Sequence, residues 1–514
     1  MSIFYIQNNR IFHFSHNILY IKIIVIAHFV KNAIGFFCVI IYNYVKTNIL
    51  YGGFIMYQLD FNHPIHIHFI GIGGISMSGL AEILIDKGFI VSGSDTKASS
   101  LTELLVRKGA KIYYGQKAEN LSGDIDLVVY TSAIHPDNPE YAAMQDMGIP
   151  SLTRAQLLGQ LMKNYEIPIA ISGTHGKTTT TSMISEILLE AGVDPTLSIG
   201  GILKTIDGNI RIGHGKCFVT EACEYTNSFL SFFPQISIIL NVEEDHLDFF
   251  RDIDQIRRSF HQFAALLPSD GTLIINGEIP EIDAILEGLN CNIITYGSLD
   301  SYDYHPEDIH YNETGCASFT LIRKDGSKES ICLNVPGAHN VYNAMAAIAL
   351  ADLLSIDYAA VKKALSHFHG TDRRFEYKGT MGGTVIIDDY AHHPTEITAT
   401  LSAAQNYPHK TLWCVFQPHT FTRTKAFMKE FATALSLADR IVLADIYPAR
   451  ETDDLGISSK TLQKEIEALG KTCFYFPSFA EIENFLSKNC SSGDLLITMG
   501  AGDVVNIGEN LLRR

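Results

Sequence analysis

The stretch GTHGKTTTT, residues 173–181, decides how the rest of the chain is interpreted. An apolar run, residues 167–171, precedes it, and a helix-favouring run begins at Thr178. This order predicts a strand, a glycine loop and the start of a helix. Backbone N–H groups of such a loop converge on an anion, and the helix N-terminus adds partial positive charge. Lys177 can reach the β- and γ-phosphates of a nucleotide, and Thr178 can ligate Mg²⁺.

The spacing Gly-x-x-Gly-Lys-Thr is two residues shorter than the common phosphate-loop pattern. A chance glycine turn before a helix is the alternative, which the Lys-Thr pair and the preceding apolar run disfavour. We therefore expect nucleotide phosphates to be held by the residues of this loop: Gly173, Thr174, His175, Gly176, Lys177, Thr178 and Thr179.

Length and composition narrow the class of protein. At about 100–200 residues per domain, the 514 residues predict about three domains. The formal net charge is -17 and there is no basic block or aromatic-interleaved Lys/Arg stripe, so we expect no nucleic-acid partner. The nine cysteines form no C-x-x-C pair and no metal-type spacing, which is typical of a reducing compartment. The sequence thus indicates a cytoplasmic protein that binds anions with loops and single cations.

Residues 1–55 do not resemble the rest of the chain. Polar residues interrupt the apolar residues between 21 and 44, leaving runs shorter than the ~20 residues of a spanning helix. No secretory-type cleavage site is present, and no stable membrane association is expected. Codons for Gly52 and Gly53 can encode a ribosome-binding sequence just ahead of Met56. We therefore expect residues 1–55 to be translated upstream sequence or a disordered, hydrophobic tail, with a membrane anchor as the alternative.

A second strand-turn-helix pattern opens the first folded unit, residues 56–155. The strand predicted from residue 66 runs into GIGGISMSGLAEIL, and the next strand ends at an acidic residue about where dinucleotide sites place one. The turn suits a nicotinamide cofactor or the pyrophosphate of a nucleotide-sugar, and a packing turn without a ligand is the third possibility. The candidate residues are Gly71, Gly73, Gly74, Ser76, Asp95 and Ser132.

In the central unit, residues 156–370, two more strands end in acidic or imidazole side chains. Glu221 closes one strand and His246 follows the next, so both are expected at the edge that carries the phosphate loop. Mg²⁺ prefers oxygen ligands, which favours Thr178 and Glu221, while His246 is a less usual ligand that a second metal would explain. The neighbouring acidic residues 243–245 can equally be a solvated turn.

The segment VPGAHNVYNAMAAIALA places Asn340 and Asn343 on the first turn of a predicted helix. Amide side chains there can contact a nucleotide base or cap the helix, and capping is the commoner role.

The last unit, residues 371–514, begins with a polar connector that carries Arg374. Arginine is suited to clamping a phosphoryl group that is being transferred. The next strand ends in DDYAHHPTE, which presents Asp389, Tyr390 and His392 together, and a metal-free capping loop is the alternative. Strands and helices then alternate, including a helix predicted over residues 423–437, so we expect a parallel sheet.

Taken in order, the motifs of this chain resemble those of the Mur ligases of bacterial cell-wall synthesis. The resemblance covers residues 56–514 and rests on GIGGISMSGLA, SAIHPDNPE, GTHGKTTTT, EACE, NVEEDH, PGAHNVYNA, GTDRRFE, DDYAHHPTE, FQPHTFTRT and GAGD. It implies an α/β protein of three domains: a Rossmann-like N-terminal domain that binds a UDP-sugar, a central P-loop ATPase-like mononucleotide-binding domain, and a C-terminal Rossmann-like domain.

The resemblance also implies an activity, in which ATP drives the joining of L-alanine to UDP-N-acetylmuramate through an acyl phosphate, with Mg²⁺. It implies that Lys177, Glu221, His246, Arg374 and Asp389 are catalytic, and that Thr178, Glu221 and His246 bind metal. ATP would contact the phosphate loop, Asn340, Asn343, Arg374 and Asp389, and L-alanine would contact Tyr390, His392 and Arg423.

Two departures from the family pattern bear on specificity. Thr420 stands where some members carry the first arginine of an Arg-x-x-Arg pair, so alanine recognition would rest on Arg423 and His419. Residues 247–267 contain no lysine, whereas members that add later amino acids use a carbamylated lysine there, and this favours the alanine-adding type. A peptide-recycling ligase for the same sugar, an NAD-dependent dehydrogenase and a regulatory ATPase are the alternatives.

Overall fold

The computed structural model describes residues 50–51, 54–55, 57–131, 133–449, 451–452 and 454–513. The chain divides into two compact units, Met1–His63 and Pro64–Arg514. In the first unit, strands β1 (Leu50–Tyr51) and β2 (Phe54–Ile55) pair as antiparallel. Most of residues 1–55 lie outside the described residues, so their assignment stays a prediction. Among the residues that are described, no helix has the length and apolarity to cross a membrane.

The second unit contains three sheets, which define an N lobe, a central lobe and a C lobe. The N-lobe sheet has five parallel strands in the order β5-β4-β3-β6-β7. Its elements are β3 (His66–Ile70), α1 (Ile75–Asp86), β4 (Ile90–Asp95), α2 (Ser100–Arg107), β5 (Lys111–Tyr114), β6 (Leu127–Tyr130), α3 (Pro139–Met147), β7 (Ser151–Thr153) and α4 (Arg154–Met162).

The central lobe has a sheet of ten strands in the order β10-β9-β11-β8-β12-β13-β14-β15-β16-β17, parallel in its middle and antiparallel at both ends. Its elements are β8 (Ile167–Ser172), α5 (Lys177–Glu190), β9 (Thr196–Leu203), β10 (Gly208–Arg211), β11 (Cys217–Glu221), β12 (Ile236–Ile239), α6 (Ile253–Ala264), β13 (Thr272–Asn276), α7 (Asp283–Leu286), β14 (Asn292–Tyr296), β15 (Tyr304–Tyr311), β16 (Cys316–Arg323), β17 (Lys328–Pro336), α8 (His339–Leu353) and α9 (Tyr358–His367).

The C lobe has six strands in the order β18-β19-β23-β20-β21-β22, all parallel except β18. Its elements are β18 (Glu376–Met381), β19 (Thr384–Asp389), α10 (Pro394–Gln405), β20 (Leu412–Phe416), α11 (Phe421–Ala426), α12 (Met428–Leu435), β21 (Arg440–Leu443), α13 (Ser459–Ala468), β22 (Thr472–Tyr475), α14 (Phe479–Asn489), β23 (Leu495–Met499) and α15 (Val505–Leu512).

These three α/β sheets confirm the predicted fold class, but one helix differs from its prediction. The single helix expected over residues 423–437 is two helices, α11 and α12, which meet at Phe427. The backbone of Phe427 leaves helical geometry, with φ −109° and ψ 28°, and its ring packs edge-on against His393 at 5.0 Å. Neither glycine nor proline marks this break, so tertiary packing rather than local sequence positions it.

Strand β8 ends at the phosphate loop and fixes its position, because the strand is buried in the middle of its sheet. Five of its six residues are buried, and β11 and β12 flank it as parallel neighbours. The carboxyl ends of these strands therefore meet at one edge, where open α/β sheets bind their ligands.

Close packing joins the N lobe to the central lobe. A Cβ at Gly79 in α1 would lie 2.2 Å from Cγ1 of Ile210 in β10, which is far inside contact distance. The helix can approach this strand only because residue 79 has no side chain.

Candidate active site

The phosphate loop follows β8 and ends at the start of α5, as the sequence predicts. Gly176, the last residue before the helix, has φ +83°, which glycine adopts without steric cost. A Cβ at Gly176 would also lie 2.8 Å from Oδ1 of Asn343. The loop is held from below by Asn241, whose Oδ1 accepts a hydrogen bond from the His175 N–H at 2.7 Å. Its backbone is thus fixed with the helix N-terminus open to an anion.

Lys177 lies in this loop with three oxygen partners. Its Nζ donates to the carbonyl oxygens of Gly173 and Thr174 and forms an ion pair with Glu224 at 2.9 Å. Burial opposes its charge, but Glu224, Cys223 and Glu221 together outweigh burial, so the net effect is a raised pKa for Lys177. Lys177 therefore remains a fixed cation beside the loop.

Thr178 and Glu221 form the predicted pair of oxygen donors. The Thr178 hydroxyl donates to Oε2 of Glu221 at 3.1 Å, and the other oxygen of Glu221 accepts the Gly200 N–H at 2.5 Å. Burial raises the pKa of Glu221, although Gly200, Lys177 and Thr178 counter it by stabilising the carboxylate. A half-buried carboxylate beside a threonine hydroxyl is a suitable site for a hard cation.

His246 reaches the same region in an unusual backbone conformation, with φ +52°. Its ring stacks on Tyr225 at 4.5 Å, and its Nε2 lies 3.6 Å from Oε1 of Glu224. Burial lowers the pKa of His246 even though Asp245 and Glu224 favour its charged form. A neutral imidazole is the form that binds metal ions.

One cavity of about 460 Å³ collects side chains from all three lobes. Ile75 is the residue of the N lobe that lines this cavity. Its side chain is 61% exposed, so the cavity is open to solvent on the side of the N lobe. The predicted site residues that line the cavity are Thr174, His175, Gly176, Lys177, Thr178, Glu221, His246, Arg374, Tyr390 and His392.

A neighbouring cavity of about 430 Å³ lies between the central and C lobes and contains the predicted base-contacting residues Asn340 and Asn343. Neither amide caps α8, since Ala338 is the N-cap and no side chain caps the helix. The Asn340 amide donates to the Pro336 carbonyl at 2.7 Å, and the Asn343 amide donates to Oδ1 of Asn340 at 2.9 Å. Arg374 and Asp389 line this cavity too, and Arg374 lines both.

The connector between the lobes is held in a strained conformation. Arg373 and Phe375 have φ values of +62° and +49° on either side of Arg374. Asp389 fixes the connector, because its carboxylate accepts the backbone N–H groups of Phe375 and Ala391, each at 2.7 Å. Burial raises the pKa of Asp389 to about 6, against the opposing effect of Arg374. Arg373 and Phe375 thus carry strain next to Arg374, the residue that lines both cavities.

Residues 243–245 are not merely a solvated acidic turn, because all three contact the C lobe. Arg423 donates to Oδ1 of Asp245 from Nε at 3.1 Å and from Nη2 at 2.9 Å. Thr395 donates to Glu243 at 2.7 Å, and His393 lies 3.1 Å from the carbonyl of residue 244. The pairing spans 178 residues between Asp245 and Arg423, which sequence spacing could not indicate.

The three predicted alanine contacts divide between adjacent cavities. Tyr390 and His392 line the cavity of about 460 Å³, whereas Arg423 lines a third cavity of about 310 Å³ together with His419. His246 lines both. The sequence missed a further residue here, Glu451, whose carboxylate accepts the backbone N–H groups of Phe421 and Thr422 at the start of α11.

In the N lobe, the predicted glycine turn is held by its own acidic residue. Asp95 accepts the Gly73 N–H at 2.8 Å and the Thr96 N–H at 2.7 Å. The Ser76 hydroxyl accepts a hydrogen bond from Arg154 at 3.1 Å. Gly71 and Gly74 lie in the same turn, while Ser132 lies outside the described residues. The roles of these residues toward a UDP-sugar stay predictions.

A phosphate loop, a threonine-carboxylate pair and a connector arginine around one shared cavity define a nucleotide-using enzyme of three α/β lobes. Family models match in the same order: Mur ligase family, catalytic domain, at residues 66–166; Mur ligase middle domain at 171–351; and Mur ligase, glutamate ligase domain, at 373–502. The chain belongs to the Mur ligase family.

Relatives narrow the comparison. The chain is 60% identical over 459 residues to the UDP-N-acetylmuramate--L-alanine ligase of Agathobacter rectalis, covering 89% of this chain and 100% of the relative. Its structure is similar to the UDP-N-acetylmuramate-alanine ligase of Thermotoga maritima, with a TM-score of 0.73, 30% identity and coverage of 88% and 99% of the two chains. It is also similar to a murein peptide ligase from Psychrobacter arcticus, with a TM-score of 0.66, 27% identity and coverage of 87% of this chain and 98% of the other.

Proposed function

We propose that this chain is the ATP-dependent ligase that joins L-alanine to UDP-N-acetylmuramate, giving UDP-N-acetylmuramoyl-L-alanine, ADP and phosphate. The observation that carries the proposal is the cavity of about 460 Å³, where the phosphate loop, Glu221, Arg374 and the C-lobe side chains Tyr390 and His392 meet. The 60% identity to a relative of that name over its whole length supports the choice of substrates. This activity is the first amino-acid addition to a peptidoglycan precursor.

The chemistry requires a carboxylate of the sugar to be activated before an amine can attack it. Transfer of the γ-phosphoryl group of ATP to that carboxylate gives an acyl phosphate, and the amine of L-alanine then displaces phosphate. The negative charge on the phosphoryl group is the main barrier to its transfer. Fixed cations lower this barrier because they stabilise that charge in the transition state. Lys177 supplies such a cation from the phosphate loop, and Arg374 supplies a second from the connector.

The donor set around Thr178 suits Mg²⁺. The Thr178 hydroxyl and the Glu221 carboxylate are oxygen donors 3.1 Å apart in one cavity wall. His246 lies across from them, 3.6 Å from Glu224, and would serve a second ion or an outer contact. Thr178 and Glu221 would hold Mg²⁺, which when bound would neutralise phosphate charge.

The C lobe provides the side chains that would bind L-alanine. The carboxylate of L-alanine needs a cation, and Arg423 lines the third cavity beside His246. Its Nε and Nη2 donate to Asp245 and its Nη1 lies 3.3 Å from Nδ1 of His419, so L-alanine would have to share this guanidinium with Asp245 or replace one of these partners. Tyr390 and His392 lie toward the phosphate loop, where the reacting amine must arrive.

The cytoplasm suits this activity, because ATP and the UDP-sugar are made there. All eight cysteines within the described residues are unpaired, as a reducing compartment requires.

The test measures ADP release from the purified chain with UDP-N-acetylmuramate and ATP. L-alanine should stimulate release strongly and the tripeptide L-alanyl-γ-D-glutamyl-meso-diaminopimelate should not. Stimulation by the tripeptide alone would assign the peptide-recycling reaction instead, and ADP release without any sugar would indicate a regulatory ATPase. NADH consumption with a hydroxy-sugar would indicate a dehydrogenase.

A further inference from the structure

Three metal-type side chains outside the predicted Mg²⁺ ligands converge beside the phosphate loop. His175 comes from the loop, Glu243 from the turn after β12, and His393 from the end of β19 in the C lobe. One nitrogen of each imidazole and one carboxylate oxygen of Glu243 lie within 4.8 Å of one another. Among the residues that the structure describes, this is the one His, Cys, Asp or Glu group with such spacing.

His175 is oriented as metal-binding histidines are. Its Nδ1 lies 3.2 Å from Oε1 of Glu396, so a carboxylate fixes the ring from behind. Its Nε2 is buried without a hydrogen-bond partner and lies 3.6 Å from Oε2 of Glu243. A carboxylate on one ring nitrogen is the arrangement in which histidine ligates a metal through the other nitrogen. Against the effect of burial, Glu243 and Glu396 raise the pKa of His175 to about 9, so a bound ion would replace the proton on Nε2.

The other two donors are also fixed by outer contacts. Glu243 accepts a hydrogen bond from the Thr395 hydroxyl at 2.7 Å. His393 is 4% exposed, and its Nε2 lies 3.1 Å from the carbonyl of residue 244, which leaves Nδ1 with a long 3.4 Å contact to the Thr395 N–H. The rings of His175 and His393 lie 4.7 Å apart between centroids, so small side-chain rotations would bring both nitrogens to one ion.

We propose that His175, Glu243 and His393 form a binding site for a divalent transition-metal ion of the Zn²⁺ class, separate from the Thr178–Glu221 pair. Two imidazoles and one carboxylate favour Zn²⁺, Co²⁺ or Ni²⁺ over Mg²⁺, which prefers oxygen donors. The ligands come from the central lobe and the C lobe, so a bound ion ties the C lobe directly to the phosphate loop. Excess Zn²⁺ would thereby hold the two lobes together.

The test titrates Co²⁺ into the full chain at saturating Mg²⁺ and follows the visible absorption of the bound ion, with Zn²⁺ as the competitor. The wild type should bind one equivalent with nitrogen ligation, and Zn²⁺ should displace it. Glu243→Gln and His393→Asn should each weaken binding at least tenfold. Asn at residue 393 retains an oxygen that can cap α10, and circular dichroism verifies that both variants fold.

His246→Gln is the matched control, since it alters the predicted Mg²⁺ region and leaves the three ligands intact. It should bind Co²⁺ as tightly as the wild type. Loss of binding in His246→Gln with retention in Glu243→Gln would overturn the proposal, as would the absence of stoichiometric binding in the wild type. Neither result depends on turnover, so the proposed ligase activity is tested separately.

Discussion

At the scale of single residues, we expect the ion pair between Lys177 and Glu224 to contribute both to catalysis and to the stability of the central lobe. Both side chains are largely buried, at 16% and 4% exposed. Lys177→Met should lower kcat by at least about 10²-fold, because a fixed cation at the phosphates is lost. It should also destabilise the central lobe by about 3–5 kcal/mol, since Glu224 is left buried without its partner.

A double variant distinguishes the two effects. Lys177→Met with Glu224→Gln should recover most of the thermal stability in calorimetry but none of the ADP release. Recovery of activity would show that Lys177 is needed only to neutralise Glu224.

Because of His419, we expect the stability of the C lobe to fall at acidic pH. Burial, aided by His392 and Arg423, lowers the pKa of His419 to about 4, against about 6.5 in an unfolded chain. The unfolded state then binds more protons between pH 6.5 and 4, so stability is complete above 6.5 and falls as the pH drops through this window. The contribution is at most about 3 kcal/mol.

His419→Gln, which replaces the Nδ1 acceptor of the imidazole with an amide oxygen, should make the unfolding free energy of the C lobe less dependent on pH between 6.5 and 4. Fluorescence of Trp413, the only tryptophan, reports denaturant unfolding of this lobe. An unchanged dependence would show that His419 is not held neutral.

At the scale of elements, the sequence predicted those strands, loops and helices that are determined by adjacent residues. The run of β8, the phosphate loop and α5 was predicted within a residue or two, because apolar pattern, glycine and Lys-Thr agree over twenty adjacent positions. The partners of the loop could not be predicted: Glu396, which contacts His175, lies 221 residues further along the chain. The break at Phe427 was missed for the same reason, since its cause is a contact with His393.

The short helix α11 should depend on Glu451. This carboxylate accepts the backbone N–H groups of Phe421 and Thr422 at the helix start and so positions Arg423, the next residue of the same turn. Glu451→Ala should cost about 1 kcal/mol of C-lobe stability and raise the KM for L-alanine several-fold, with the KM for ATP unchanged.

Thr452→Ala, in the same loop, is the control and should leave both KM values at the wild-type level. A parallel rise in the KM for ATP after Glu451→Ala would mean that the whole C lobe has shifted, rather than α11 alone.

At the scale of the whole molecule, the bond between Asp245 and Arg423 holds the C lobe to the central lobe. Both side chains are about nine-tenths buried. Burial raises the pKa of the Asp245 carboxyl, but Arg423, helped by His246 and His393, outweighs burial and holds this pKa well below its usual range. Asp245→Ala should therefore leave Arg423 unpaired and allow the C lobe to move on its connector.

Small-angle scattering should show a larger radius of gyration for Asp245→Ala than for the wild type, with compaction when an ATP analogue and UDP-N-acetylmuramate are added. Asp248→Ala is the control, because Asp248 contacts only Tyr225 within the central lobe among its described hydrogen bonds. Identical curves for all three proteins would show that the other contacts suffice to hold the lobes.

The C lobe has apolar cores of its own. Among the described residues, two clusters of buried side chains lie within the C lobe, and they share no member with the cluster within the central lobe. Heat should therefore melt the C lobe of the free protein in a calorimetric transition separate from that of the central lobe, because no shared cluster makes these two lobes unfold cooperatively. Substrates that contact both lobes supply that missing coupling, so a saturated complex should melt in fewer and sharper steps.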